Sequence, residues 1–152
     1  MELYQGFLTG NLPLDMAITG WFTAQVLKGL IQTALHHRFD WRTFTGSGGM
    51  PSSHSAFVCA LAVSLGGLYG WRSPLFALAA CLAAIVMYDA CNVRRAAGEQ
   101  AKVLNHLLHY LDQFTPDVAE KALKELLGHT PLQVLMGALL GSAIGTLAWL
   151  PR

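Results

Sequence analysis

Charge is what this chain has least of: Asp, Glu, Lys and Arg make up 12% of its 152 residues, against 53% apolar residues. With a positive mean hydropathy, that balance excludes an ordinary soluble domain, in which about 25% of residues are charged. It points to an integral membrane protein. The net charge is only +1, and no basic run is interleaved with aromatics, so there is no electrostatic footprint for nucleic acid. Cysteine is scarce and odd in number. Cys59, Cys81 and Cys91 lack the paired spacing of a zinc site or a secreted disulfide framework, and each reads as a small buried hydrophobe. Basic residues are missing from the N-terminal stretch, the first being Lys28. The basic n-region of a signal peptide is therefore absent, and the first apolar segment is expected to stay in the mature protein. Internal repeats, low-complexity tracts and flexible linkers are absent too, and 152 residues suit one membrane-embedded domain, 1–152.

What is present is a set of long apolar runs. A hydrocarbon core about 30 Å thick takes roughly 20 mostly apolar helical residues to cross. Four segments are expected to do so: Leu12 to Leu35, Ser55 to Trp71, Pro74 to Cys91, and Pro131 to Leu150. The second and third are joined only by a short turn and must be antiparallel neighbours. The fourth carries Gly137, Gly141 and Gly145 at four-residue intervals, a stripe that allows close helix approach, within the chain or between two copies. Between the third and fourth lies a different kind of sequence. AKVLNHLLHYLDQF, from Ala101, has an amphipathic period and reads as an interfacial helix. TPDVAEKALKELLG, from Thr115, has the N-cap, first-turn proline and terminal glycine of a short helix. The expected fold is all-α, a membrane bundle of about four transmembrane helices with short interfacial helices between the third and fourth.

Four crossings bring the loop after the first segment, the end of the third and the start of the fourth to one face. That face carries Arg38, Arg42, Arg94, Arg95, Lys102, Lys121 and Lys124, and the other only Arg72 and Arg152. The positive-inside rule makes it cytoplasmic, in a plasma or inner membrane, with both termini outside.

On that face sits SGGMPSSHS, Ser47 to Ser55, a polar collar at the mouth of an apolar helix. Gly48 and Gly49 permit backbone turns that let amides converge, and Ser52 or Ser53 can cap the helix that follows Pro51. Amides, hydroxyls and a helix N-terminus attract an anion. His54, in the first turn, is placed to deliver a proton to it. A second histidine, His129, precedes Thr130 and Pro131, which have N-cap and first-position chemistry. Two histidines at adjacent helix mouths suit nucleophile and general acid. Arg94 and Arg95 are paired guanidiniums, whose planar forks match phosphate oxygens. Asp89 is an ionisable residue near the end of an apolar helix, where a functional role is the default reading. The remaining histidines form no recognisable ligand constellation, so neither metal nor other cofactor is expected.

Three stretches, GGMPSSHSA, YDACNVRRAAGEQAKVLN and LKELLGHTPLQVLMGALLG, resemble in order the divergent branch of the type 2 phosphatidic acid phosphatase family, relatives of acid phosphatases and vanadium haloperoxidases. The resemblance implies a helical bundle with a histidine nucleophile, a phosphohistidine intermediate, a second histidine as acid and basic residues around the phosphate. PSSH is similar to the family's Pro-Ser-Gly-His, which makes His54 the acid and Ser52 and Ser53 phosphate contacts; His129, in GHTP, matches the nucleophile. Three departures stand out. Gln133 occupies the position of the aspartate that orients the nucleophile, and Asp89 is the expected source of that charge. Lys28 is followed seven residues later by Leu35 instead of Arg-Pro, with Arg42 or Arg38 as substitutes. Arg94 and Arg95 replace the arginine normally found shortly before the nucleophile.

The function implied is hydrolysis of a membrane lipid phosphate, such as phosphatidylglycerophosphate or phosphatidic acid, or of an isoprenyl diphosphate. The competing reading is a non-catalytic protein that binds lipid phosphate or scaffolds partners.

Overall fold

The computed structural model describes residues 5–36, 49–112 and 128–150, apart from the side chains of His36, Arg94, Arg95, His109, Leu111 and Asp112. All regular structure among them is helical: α1 (Leu12–His36), α2 (Ser53–Tyr69), α3 (Pro74–Cys91), α4 (Val93–Asp112) and α5 (Pro131–Thr146), ending in a 3-10 turn, Leu147–Trp149. The short helix expected from Thr115 lies outside the described residues.

Local chemistry explains the helix starts. Asn11 Oδ1 accepts the Leu14 N–H at 3.2 Å, the Ser73 hydroxyl accepts the Phe76 N–H at 3.2 Å, and Pro74 and Pro131 occupy first-turn positions without an N–H to satisfy. Helix α2 begins at Ser53, two residues before the expected start, because Ser52 is its N-cap, and it stops at Tyr69. The next residue, Gly70, takes φ 91°. Helix α4 begins at Val93, earlier than the amphipathic pattern from Ala101 indicated, and follows α3 with a single intervening residue, Asn92.

Helix α2 is the centre of the bundle, packing most extensively on α5, then on α1 and α3. Small residues make this possible. A Cβ added at Gly137, Gly141 or Gly145 of α5 would run into the α2 backbone carbonyls of Ser52, Ala56 and Ala60, and one at Gly20 of α1 would stand 3.0 Å from the Ala56 carbonyl. The glycine stripe is thus filled from within the chain, leaving those three positions no room for a second copy. At the far end Leu12 and Met16 of α1 pack with Ile144 and Ala148, so α1 and α5 run antiparallel.

Large apolar side chains point the other way. Leu75, Leu78, Leu82, Ile85 and Tyr88 of α3 are exposed while Ala79, Ala83 and Ala90 are buried; on α5, Leu132, Leu135 and Leu139 are exposed around the buried glycines. Small residues inside and large apolar residues outside is the pattern of helices solvated by lipid. Among the described residues, two stretches are long and apolar enough to cross a membrane, Pro74–Leu108, which runs through α3 and α4, and Pro131–Trp149. Helix α2, at 17 residues, spans about 26 Å, a little less than the ~30 Å core. The cysteine expectation needs correction: Cys59 is buried, but Cys81 is exposed on α3 and Cys91 is half-buried. Residue 81 lies on the outward face of the helix, among the exposed leucines.

Candidate active site

The collar folds over α1. Gly49 has φ 91°, a conformation that disfavours side chains, and its bare Cα lies against the stem of Lys28, with a Cβ there standing 3.0 Å from Lys28 Cγ and 3.7 Å from Gln32 Nε2. Lys28 is 0% exposed. Further along the collar, Ser52 donates its backbone N–H to the carbonyl of Gln133 at 3.0 Å, tying the collar to the first turn of α5. The Ser52 hydroxyl is occupied as a cap, accepting from Ser55 N at 3.4 Å and from Ser55 Oγ at 3.0 Å. Ser53 is buried, and His54 is half-buried in the first turn of α2.

His129 is held from two sides. Its N–H donates to the Ala90 carbonyl at the end of α3, 3.1 Å away. Its Nδ1 lies 3.1 Å from Gln133 Oε1, which also accepts the Thr130 N–H at 3.1 Å. Thr130 Oγ1 in turn accepts the Gln133 N–H at 3.3 Å, closing a capping box at the start of α5. His129 as a whole is 3% exposed. Asp89, half-buried, precedes the residue that receives the His129 N–H.

These bonds bring three sequence motifs to one end of the bundle: the collar, the end of α3, and the start of α5. Arg94 and Arg95 open α4 at the same end, their side chains outside the described residues, as are Arg42 and Gly48. Lys28 was passed over in the sequence because the arginine and proline expected after it are missing. The signal that marks it is simpler: it is the single lysine or arginine in α1, and an ionisable residue in an apolar run is a candidate for function. Asp15, also fully buried, has a different job at the opposite end, accepting from Leu8 N at 2.8 Å and Thr9 N at 3.0 Å.

Beside the collar an apolar cleft of about 270 Å³ opens between α1 and α5, lined by Leu27, Ile31, Met50, Pro51, Met136 and Leu139 among others. Among the described residues no three His, Cys, Asp or Glu side chains gather where a metal ion could bind. Lys28, the N-termini of α2 and α5, and the chain positions of His54 and His129 thus lie at one end of the bundle.

Residues 9–144 match the sequence model of the Divergent PAP2 family. The chain belongs to that family. It is 44% identical to the "Uncharacterized membrane protein YuiD" of Bacillus subtilis (strain 168), in an alignment covering 88% of this chain and 91% of that one. No solved structure matches. The hydrogen bonds described above make neighbours of the elements that carry PSSH and GHTP.

Proposed function

We propose that this protein is a membrane phosphatase acting on an amphiphilic phosphate ester through a phosphohistidine on His129. One observation carries the reading: the Ser52–Gln133 backbone bond ties the PSSH collar to the GHTP helix mouth, and the His129–Ala90 bond ties that mouth to the end of α3, at an end of the bundle that also holds buried Lys28. Neutral His129 attacks phosphorus in line; the phosphorus–oxygen bond to the leaving group breaks as the nitrogen–phosphorus bond forms. His54 supplies the proton to the departing alkoxide. Lys28, Arg94 and Arg95 balance the charge on the phosphoryl oxygens, and Ser53 with the collar amides around Gly49 orients them. Positioning and electrostatic stabilisation supply most of phosphoryl-transfer catalysis. Water, deprotonated by His54, then releases phosphate and regenerates His129. Asp89 helps to hold this end of α3 against His129.

In the proposed arrangement α1, α2, α3 and α5 each cross the bilayer, with the site on the cytoplasmic face. The cleft beside the collar supports an amphiphilic substrate such as phosphatidylglycerophosphate, phosphatidic acid or an isoprenyl diphosphate. The test is phosphate release by the purified protein in detergent across a panel of these lipids, with and without chelator. Release that resists chelator and disappears in a folded His129→Ala variant supports the reading. Saturable lipid-phosphate binding without release from any of them would replace it with a binding or scaffold function.

A further inference from the structure

The side-chain amide of Gln133 is oriented by its surroundings. Thr130 N is a backbone N–H and can only donate, so the atom facing it at 3.1 Å is the Gln133 oxygen. That same oxygen lies 3.1 Å from His129 Nδ1. A carbonyl oxygen only accepts, so Nδ1 carries the proton. In a neutral imidazole this leaves the lone pair on Nε2.

We propose that Gln133 is a positioning residue that locks His129 in its Nδ1–H tautomer, using the oxygen that also completes the α5 capping box, and that its neutrality keeps His129 reactive to lower pH than a carboxylate would. An aspartate or glutamate would select the same tautomer but would also stabilise the imidazolium, which has no lone pair for attack. The amide separates the two effects. It orients the ring without favouring the protonated form. Helix geometry adds to the lock, because the capping box fixes the glutamine before the histidine is considered.

Among the described residues, the other ionisable groups brought to this end are Lys28 on α1, His54 on α2, Asp89 on α3, and Arg94 and Arg95 on α4. None of them changes between Gln133 variants, so a difference between variants isolates position 133. The tautomer half of the proposal stands on the hydrogen bonds alone. The pH half rests on the phosphatase reading above.

The test uses the full chain in micelles with ring-15N histidine, His129→Ala serving to assign the signal, together with pH profiles of kcat/KM for phosphate release. The wild type is expected to show protonated Nδ1 and unprotonated Nε2. Gln133→Leu should lose that preference and lower kcat on the order of 10²-fold or more, as nucleophile systems do when the tautomer is wrong. Gln133→Glu preserves the capping box and the tautomer. It should move the acid limb of the profile upward by about one pH unit. A wild-type ring protonated on Nε2, or an unchanged tautomer in Gln133→Leu, overturns the lock; an unmoved acid limb in an active Gln133→Glu overturns the role of neutrality. If the wild type releases no phosphate while the tautomer pattern holds, the phosphatase reading and the pH half fall together and the lock stands.

Discussion

The stem of Lys28 lies against the bare Cα of Gly49, so close that a Cβ there would stand 3.0 Å from its Cγ and 3.2 Å from its Cδ. Position 49 also has φ 91°. Replacing Gly49 by Ala should therefore cost about 1–3 kcal/mol of stability and shift the ammonium from its position. Phosphate release should fall by roughly tenfold to 10²-fold, the scale of a small misplacement near reacting atoms. Lys28→Met should lower release by about 10²-fold by itself. In that background Gly49→Ala should keep its stability cost and lose its effect on release. Equal losses of activity in both backgrounds would break the link between the two residues.

The starts of α3 and α5 were legible in the sequence because capping is local: Pro74, and Thr130 with Pro131, announce them within a turn, whereas α2 and α4 begin earlier than their apolar patterns indicate. The glycine stripe was legible as a close-approach surface, though not its partner, since one helix carries no record of which neighbour its small residues admit. Lys28 shows the limit of motif matching. Its expected arginine and proline are missing, and its contact with Gly49 is a tertiary relation between positions far apart in the chain, which no spacing rule encodes. The exposure of Cys81 was likewise beyond composition. Outward and inward residues of α3 are equally apolar, and only packing against α2 separates them.

The α2–α5 contact predicts a steep response to added volume. A methyl group at Gly141 meets the Ala56 carbonyl, which belongs to helix backbone and has little freedom to yield. Gly141→Ala should cost about 1–3 kcal/mol, followed as unfolding by circular dichroism in mixed micelles. Leu135→Ala, on the outward face, should stay within about 0.5 kcal/mol. Similar stability for the two variants would mean that α2 and α5 separate without cost.

Asp15 offers a contrast in kind. Its carboxylate gathers the Leu8 and Thr9 N–H groups and the Thr9 hydroxyl at the end of the bundle away from His129. Asp15→Asn replaces one acceptor oxygen by a donor and leaves a backbone N–H facing it. Thermal unfolding should occur at lower temperature, while kcat of the folded fraction stays unchanged. A selective loss of kcat would assign this buried carboxylate a part in the reaction.

The cleft between α1 and α5 shares Met50 and Pro51 with the collar, so a phosphate bound there would have its nearest apolar refuge along Leu27, Ile31, Met136 and Leu139. Methionine side chains adapt to chains of different shape, and one hydrocarbon tail is the occupant this geometry favours. Leu139→Trp narrows the cleft without touching His129, Lys28 or the collar backbone. It should reduce kcat/KM for long-chain lipid phosphates by about tenfold, the value of a few methylene contacts, and leave a short, water-soluble phosphomonoester unaffected. A parallel loss for both substrates would mean that the substitution had disturbed the site itself. Unchanged values for both would send the tail elsewhere, since a chain lying in this cleft cannot ignore an indole placed in its path.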